Sequence, residues 1–279
     1  KIKDKKYNRI LVQVPEGLKM QVVEIANGIK KEIKAEVFIS GEPCYGACDL
    51  PLVEAEFLKC DAIIHFGHAD FGVKTKIPII YSPIYFDAIL SDKSKEELKK
   101  IKEEKLSVYS SEPFRKILDE TEEYLSGAGK KVVDKKVILG CSETKQKGEA
   151  NIFIGSGKFH PLALKGKTYF LNLEKNKLED LTDKIRNEEM KKQARISKFM
   201  EAKKIGILIS TKPGQFYRDY EKLKNKLEKE GKEVKILILD EIRNEKLMGL
   251  DFDCYLNTAC PRILDNEFDK LIVNLRDIA

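Results

Sequence analysis

The chain contains no tryptophan, only four methionines and only three histidines in 279 residues. It also lacks any long apolar run. Its most hydrophobic stretches, IPIIYSPIY (77–85) and KILILD (235–240), are far shorter than the roughly 20 residues a membrane-spanning helix needs. A membrane protein is therefore not expected. The opening KIKDKKYNRI has no apolar signal region, so a cytoplasmic protein is expected. Six cysteines are too few for a disulfide scaffold at this length, and in a reducing compartment they are thiols or metal ligands. No block of one-signed charge exists either. Lys+Arg 52 against Asp+Glu 46 gives +6, and the two signs interleave, which reads as a solvated surface; direct nucleic-acid binding is not expected. The Lys/Glu excess with little Met and no Trp has the flavour of a heat-adapted chain.

Three further absences concern chemistry. GSGK (155–158) lacks the spacing of a phosphate-binding P-loop, GHADFG (67–72) is not the dinucleotide fingerprint, and no G-x-S-x-G elbow supports serine hydrolysis.

What is present is alternation. Residues 9–17 read as a buried strand ending in Pro-Gly, and 18–34 follow with Leu18, Val22, Ile25, Ile29 and Ile33 at helical spacing. Strands are expected at 35–40, 61–67 and 77–85, with a helix over 51–59. The charged stretch 91–105 starts a helical connection. Residues 133–141, 149–157 and 167–173 read as strands, with a helix at FHPLAL, and 174–204 as mostly amphipathic helix. The last third repeats the opening: 203–216 is a strand ending in Pro-Gly before a helix at 217–230, and strands follow at 232–240 and 252–260. The strings CDAIIHFGH, EANIFIGSG and FDCYLNTAC look alike. This predicts an α/β protein of three similar domains, 1–90, 91–190 and 191–279. Each would carry a small mostly parallel sheet flanked by helices, in a pseudo-threefold arrangement.

Cys48, Cys141 and Cys260 each lie in a turn just past the apolar run of an expected strand, one in each third. In open parallel sheets ligands gather at the strand C-terminal edge. Three soft thiolates brought together would suit an iron-sulfur cluster or a three-cysteine zinc site, in either case leaving one metal position open. Cys60 and Cys254 read as core, and Cys44, four residues before Cys48, as a bystander. His65, His68 and His160 all lie near glycines at strand ends. A non-redox zinc or nucleotide-binding scaffold is the alternative from another functional class.

At YGACD (45–49), HFGHADFG (65–72), GCS (140–142), FIGSGKFHPLAL (153–164), KIGILISTKPGQF (204–216) and NTACPR (257–262) the sequence resembles the diphthamide synthase family, in the family's order and over nearly the whole chain. The resemblance implies a homodimer with a [4Fe-4S] cluster held by Cys48, Cys141 and Cys260. It implies S-adenosylmethionine at the open iron, reductive cleavage giving a 3-amino-3-carboxypropyl radical, and transfer of that group to a histidine of translation elongation factor 2, the first step of diphthamide biosynthesis. The electron donor stays open. Beside the cluster, Gly155, Ser156, Gly157, His160 and Gln215 are expected to line the cofactor pocket, and Arg262 to hold the methionyl carboxylate as a charge-assisted pair. Family members continue further past the ACPR turn than residues 274–279 do, so a short or missing C-terminal segment is expected, and Lys1 in place of Met points to a trimmed start.

Overall fold

The computed structural model describes residues 7–278; the opening KIKDKK lies outside them. It builds three sheets in chain order. The first comprises β1 (Arg9–Gln13), β2 (Glu36–Ile39), β3 (Ala62–Gly67) and β4 (Ile79–Pro83), all parallel, in the order β2-β1-β3-β4. Helix α1 (Val22–Ile33) links β1 to β2, and α2 (Leu52–Phe57) precedes β3. Middle strands of a parallel sheet are covered on both faces, which is why Ile10, Leu11 and Val12 form an unbroken buried run rather than an alternating one. Val22, Ile25, Ile29 and Ile33 of α1 pack against Ile10, Val12 and Ile64. Each such aliphatic side chain, once covered, contributes about 1.5–3 kcal/mol. The helix stops where Lys34 turns left-handed, at φ 50°.

After α3 (Asp92–Lys99), the second sheet comprises β5 (Lys105–Ser110), β6 (Lys131–Val137), β7 (Ala150–Gly155), β8 (Thr168–Asn172) and β9 (Lys177–Asp180), in the order β6-β5-β7-β8-β9. Helix α4 (Ile117–Gly127) joins β5 to β6, and only β9 is antiparallel. The long helix α5 (Thr182–Glu201) leads to the third sheet. Its strands are β10 (Lys204–Ser210), β11 (Glu233–Leu239), β12 (Cys254–Asn257) and β13 (Leu271–Asn274), in the order β11-β10-β12-β13. Helix α6 (Tyr220–Lys229) precedes β11, α7 (Asn244–Leu247) precedes β12, and α8 (Leu275–Ile278) follows β13.

The expected α/β class and the threefold reuse of one plan are both observed, since each sheet runs second, first, third, fourth strand. The look-alike strings are β3, β7 and β12, the third strand of each plan, paired in matching register as Ile10↔Ala62, Leu106↔Ala150 and Ile205↔Cys254. One further feature recurs. Asp61, Glu149 and Asp253 each stand one residue before that third strand. Each carboxylate accepts two backbone N–H groups at the start of the first strand: Asn8 and Arg9 (2.6 and 2.9 Å), Glu104 and Lys105 (2.9 and 3.3 Å), Lys203 and Lys204 (2.9 and 2.8 Å).

Several local expectations change. A 3-10 turn at Glu16–Gln21 delays α1 by four residues relative to the expected start at 18, FHPLAL holds a three-residue 3-10 turn, Pro161–Ala163, rather than a helix, and β9 occupies the front of the segment expected to be mostly helix. Cys48 and Cys141 follow second strands, whereas Cys260 follows a third strand, so the three thiols are not at equivalent places in the plan.

The chain packs as two compact units: the chain up to Ile84 with Ile209–Arg218 and Ile238–Glu241, and Tyr85–Leu208, Asp219–Leu237 and the part from Ile242 on. Among the described residues no helix is long and apolar enough to cross a membrane.

Candidate functional site

In the first unit the loop after β2 carries Cys44 and Cys48. Cys44 is buried and Cys48 half-buried. The Gln215 side-chain amide donates to Cys48 Sγ at 3.5 Å, and the backbone N–H of Gly214 donates to the Cys48 carbonyl at 2.9 Å. A side chain at Gly214 would set its Cβ 2.5 Å from Cys48 Cα, so the KPGQF turn reaches the cysteine loop only because that residue is glycine.

Next to Cys48, Asp49 is buried and pairs with Lys212 at 2.6 Å; their side chains are 8% and 14% exposed. The Lys212 ammonium also sits 5.5 Å above the Tyr45 ring. A cleft of about 410 Å³ is lined by Gln13, Asp49, Thr211, Lys212 and Asp240, and another of about 500 Å³ by Phe71, Lys74, Gly214, Phe216 and Arg218.

Behind Asp49 a polar chain enters the sheet. Gln13 donates its amide to the Asp49 carbonyl at 2.8 Å and turns its oxygen to His65 Nδ1 at 2.7 Å. His65 Nε2 lies 3.0 Å from His68 Nδ1. Burial pushes the Cys44 thiol up to about 12 and His65 down to about 4, the latter aided by its neighbour His68. His68 is also lowered by burial, against a bond to the Phe66 carbonyl.

In the second unit Cys141 and Cys260 are both half-buried. Two lines of contact join their turns. On one side a Cβ at Gly140 would collide with the Phe159 ring, and that ring carries the Arg262 guanidinium 4.4 Å from its centroid. On the other, Arg276 Nη1 donates to the Cys141 carbonyl at 3.1 Å. Asn274, two residues earlier, donates to the Pro261 carbonyl and accepts from Asn257, which itself donates to the Cys260 carbonyl.

Arg262 is held by Asp265 at 2.6 Å, yet its buried Nε has no hydrogen-bond partner. Burial raises the Asp265 carboxyl despite that guanidinium. His160 stacks on Phe153 at 5.8 Å and meets Phe159 edge-on. Burial, and then the charge of Arg262, push it down to about 4.

Of the residues singled out from sequence, Cys48 and Gln215 come together in the first unit, and His160 and Arg262 share the Phe159 ring in the second. Gly155 is buried at the end of β7, where its carbonyl accepts from Leu173, and the Ser156 carbonyl accepts from Asn172. Gly157 is exposed. Cys60 and Cys254 are buried, as expected of core positions. Sequence reasoning missed the Asp49–Lys212 pair, although both residues stand inside quoted motifs, because nothing in a one-dimensional string pairs a carboxylate with an ammonium 163 residues away. It also missed Phe159 and Arg276, and left Cys44 a bystander where the structure sets it against two histidines.

Residues 14–278 match the family described as "Putative diphthamide synthesis protein". The chain is 34% identical over 271 residues to the 2-(3-amino-3-carboxypropyl)histidine synthase of Pyrococcus horikoshii, covering 91% of this chain and 79% of that protein. It is 30% identical to the protein of the same name from Methanocaldococcus jannaschii, covering 93% and 79%. The crystal structure of Dph2 from Pyrococcus horikoshii, known also with a 4Fe-4S cluster, superposes with a TM-score of 0.87 at 30% identity over 98% of this chain and 85% of that one. The chain belongs to the diphthamide synthesis family.

Proposed function

We propose that the chain is an iron-sulfur transferase that moves the 3-amino-3-carboxypropyl group of S-adenosylmethionine to a histidine of translation elongation factor 2, as the first step of diphthamide formation. In this reading Cys48, Cys141 and Cys260 supply three thiolates to a [4Fe-4S] cluster. The protein works as a cytoplasmic homodimer, and each sheet with its helices is one domain, bounded as 1–90, 91–190 and 191–279.

One observation carries the reading: the six cysteines divide by environment. Cys48, Cys141 and Cys260 are half-buried in turns beyond strand ends, whereas Cys44, Cys60 and Cys254 are buried, with thiols that burial raises in the absence of a metal. The donor set fits the group. Three soft sulfur donors suit iron-sulfur ligation, the Gln215 amide offers an N–H to one of those sulfurs, and Gly214 keeps side-chain bulk away from Cys48. The partnerless Nε of Arg262 suits a carboxylate of the cofactor, and His160, half-buried with its pKa pushed down to about 4, adds no charge of its own near neutral pH. When bound, a low-potential cluster supplies the electron that cleaves a sulfonium C–S bond. The protein's own part is to orient the cofactor so that the bond on the aminocarboxypropyl side is the one that breaks. The names of the relatives agree with this chemistry.

The test is anaerobic reconstitution with iron and sulfide, followed by dithionite and S-adenosylmethionine. Methylthioadenosine and modified elongation factor are the expected products, and 5′-deoxyadenosine as the main product would refute the regiochemistry. The absorption and EPR signals of the cluster should vanish in Cys48→Ala, Cys141→Ala and Cys260→Ala and persist in Cys60→Ala and Cys254→Ala. A colourless protein that binds zinc through the same three cysteines would favour a non-redox scaffold.

A further inference from the structure

Cys44, His65 and His68 take no part in the transfer reading, yet they form a compact donor group. One atom from each, the Cys44 sulfur and a ring nitrogen of each histidine, lies within 4.8 Å of the other two. We propose that Cys44, His65 and His68 form a second metal site that binds one zinc-class divalent cation, separate from Cys48, Cys141 and Cys260.

The geometry is close to what such an ion requires. Tetrahedral zinc with nitrogens near 2.0–2.1 Å and sulfur near 2.3 Å spaces its donors about 3.3–3.6 Å apart. The two histidine nitrogens already stand 3.0 Å apart, so the sulfur has roughly 1 Å to close at most. The supporting shell is also in place. Metal-bound imidazoles nearly always donate their second N–H to a carbonyl or carboxylate, which fixes the tautomer and ring orientation. His65 does this through Nδ1 to Gln13 Oε1, and Gln13 is itself anchored, because its amide donates to the Asp49 carbonyl. That assignment leaves the lone pair of His65 on Nε2, facing His68. The Tyr81 ring packs edge-on against His65 at 5.6 Å.

His65 stands inside β3, His68 in the turn after it and Cys44 in the loop after β2. Cys44 and His65 are buried, and His68 is the half-exposed member through which an ion would enter. One soft sulfur with two imidazoles selects zinc or a similar borderline metal over magnesium or calcium, which take oxygen donors. Loading forms one metal–sulfur and two metal–nitrogen bonds. The Cys44 thiol proton leaves to solvent, and the ring proton between the histidines moves to the other nitrogen of His68.

The test uses the whole chain with Cys48, Cys141 and Cys260 all changed to Ser, stripped of metal and titrated anaerobically with Co²⁺. One equivalent should bind with a thiolate-to-cobalt charge-transfer band and tetrahedral ligand-field bands, and zinc should displace it. Adding Cys44→Ser should remove the charge-transfer band. Adding His68→Gln should keep that band and weaken binding at least about tenfold. Absence of stoichiometric binding, or a charge-transfer band that survives Cys44→Ser in a chain with unchanged circular dichroism, overturns the site. Should the triple variant not fold, elemental analysis of the wild-type chain decides. One zinc beside the cluster iron, absent from Cys44→Ser while the iron stays, supports the site, and zinc content equal in both overturns it. Failure of the transfer reading looks different: the wild-type chain would build no cluster while the cobalt spectrum persisted.

Discussion

The two ends of the strands obey different rules. At the ends where β1, β5 and β10 begin, the same device occurs three times: a carboxylate one residue before the third strand clasps two backbone N–H groups of the first. At the opposite ends the polar side chains differ from sheet to sheet. The loop after β2 holds Cys48 and Asp49, the turn after β10 holds Lys212, which pairs with Asp49, the turn after β6 holds Cys141, and the turn after β12 holds Cys260 with Arg262. Repetition marks positions whose only task is to finish a sheet, and divergence marks the edge where parallel sheets place their chemistry. Substitutions at the divergent edge should therefore change stability and cofactor behaviour together, and those at the repeated edge should change stability alone.

The sharpest way to break that contrast is Lys212→Met. It strands the Asp49 carboxylate in a buried setting, and losing one partner of such a pair costs about 3–5 kcal/mol, measurable by urea unfolding. The double variant Asp49→Asn, Lys212→Met should recover most of the loss. A single variant as stable as wild type would show that this corner tolerates change as a surface does.

His160 offers the next largest effect. Its folded-state pKa is depressed, so the folded protein resists protonating it. The stability it contributes is complete above the ordinary value of 6.5 and is lost as pH falls from there toward about 4, by ~3 kcal/mol in all. His160→Gln should flatten the stability profile in that window. An unchanged profile would show that the half-buried imidazole of His160 is not held neutral in the second unit.

The smallest effects belong to the repeated edge. Bonds from the backbone N–H groups of Arg9 and Asn8 hold the Asp61 carboxyl below its usual range, and those from Lys204 and Lys203 do the same for Asp253. Their contribution is present above the unfolded value near 3.9 and disappears as pH falls through the depressed folded value. Asp61→Asn and Asp253→Asn should thus be slightly less stable than wild type near neutrality and converge with it in acid. Cluster iron should not change in either, and iron loss in either would erase the distinction between the two edges.

The fold was largely legible because its third strands are buried runs of similar layout, β3 and β7 ending in glycine and β12 reading CYLN. β3, β7 and β12 each announce themselves, and their likeness carried the threefold reading. β5 was hidden because the charged run at 91–105 reads as continuing helix, whereas α3 ends at Lys99 and KLSVYS turns into a middle strand, buried from Leu106 to Ser110. β13 has only four residues, and β9 is a polar edge strand, KLED, with no apolar alternation to detect. At the site, spacing from strand ends picked out Cys48, Cys141 and Cys260. Arg262 and Gln215 came from the family resemblance. The pairing of Asp49 with Lys212 and the meeting of Cys44 with two histidines are facts of tertiary structure alone, set by which loops the topology brings together.

The clasping carboxylates also bear on how the chain folds. Each lies 44 to 53 residues beyond the N–H groups it binds, and always within the same sheet. The first strand of each sheet therefore keeps unsatisfied backbone donors until about fifty further residues have been synthesised, after which the ring closes without needing any later part of the chain. The loops to be closed are similar in length, and their entropic cost grows only with the logarithm of that length, so the three sheets face nearly equal closure barriers. Emerging from the ribosome, the protein can complete one sheet before the next is made, which limits the time any strand edge stays open to a wrong neighbour.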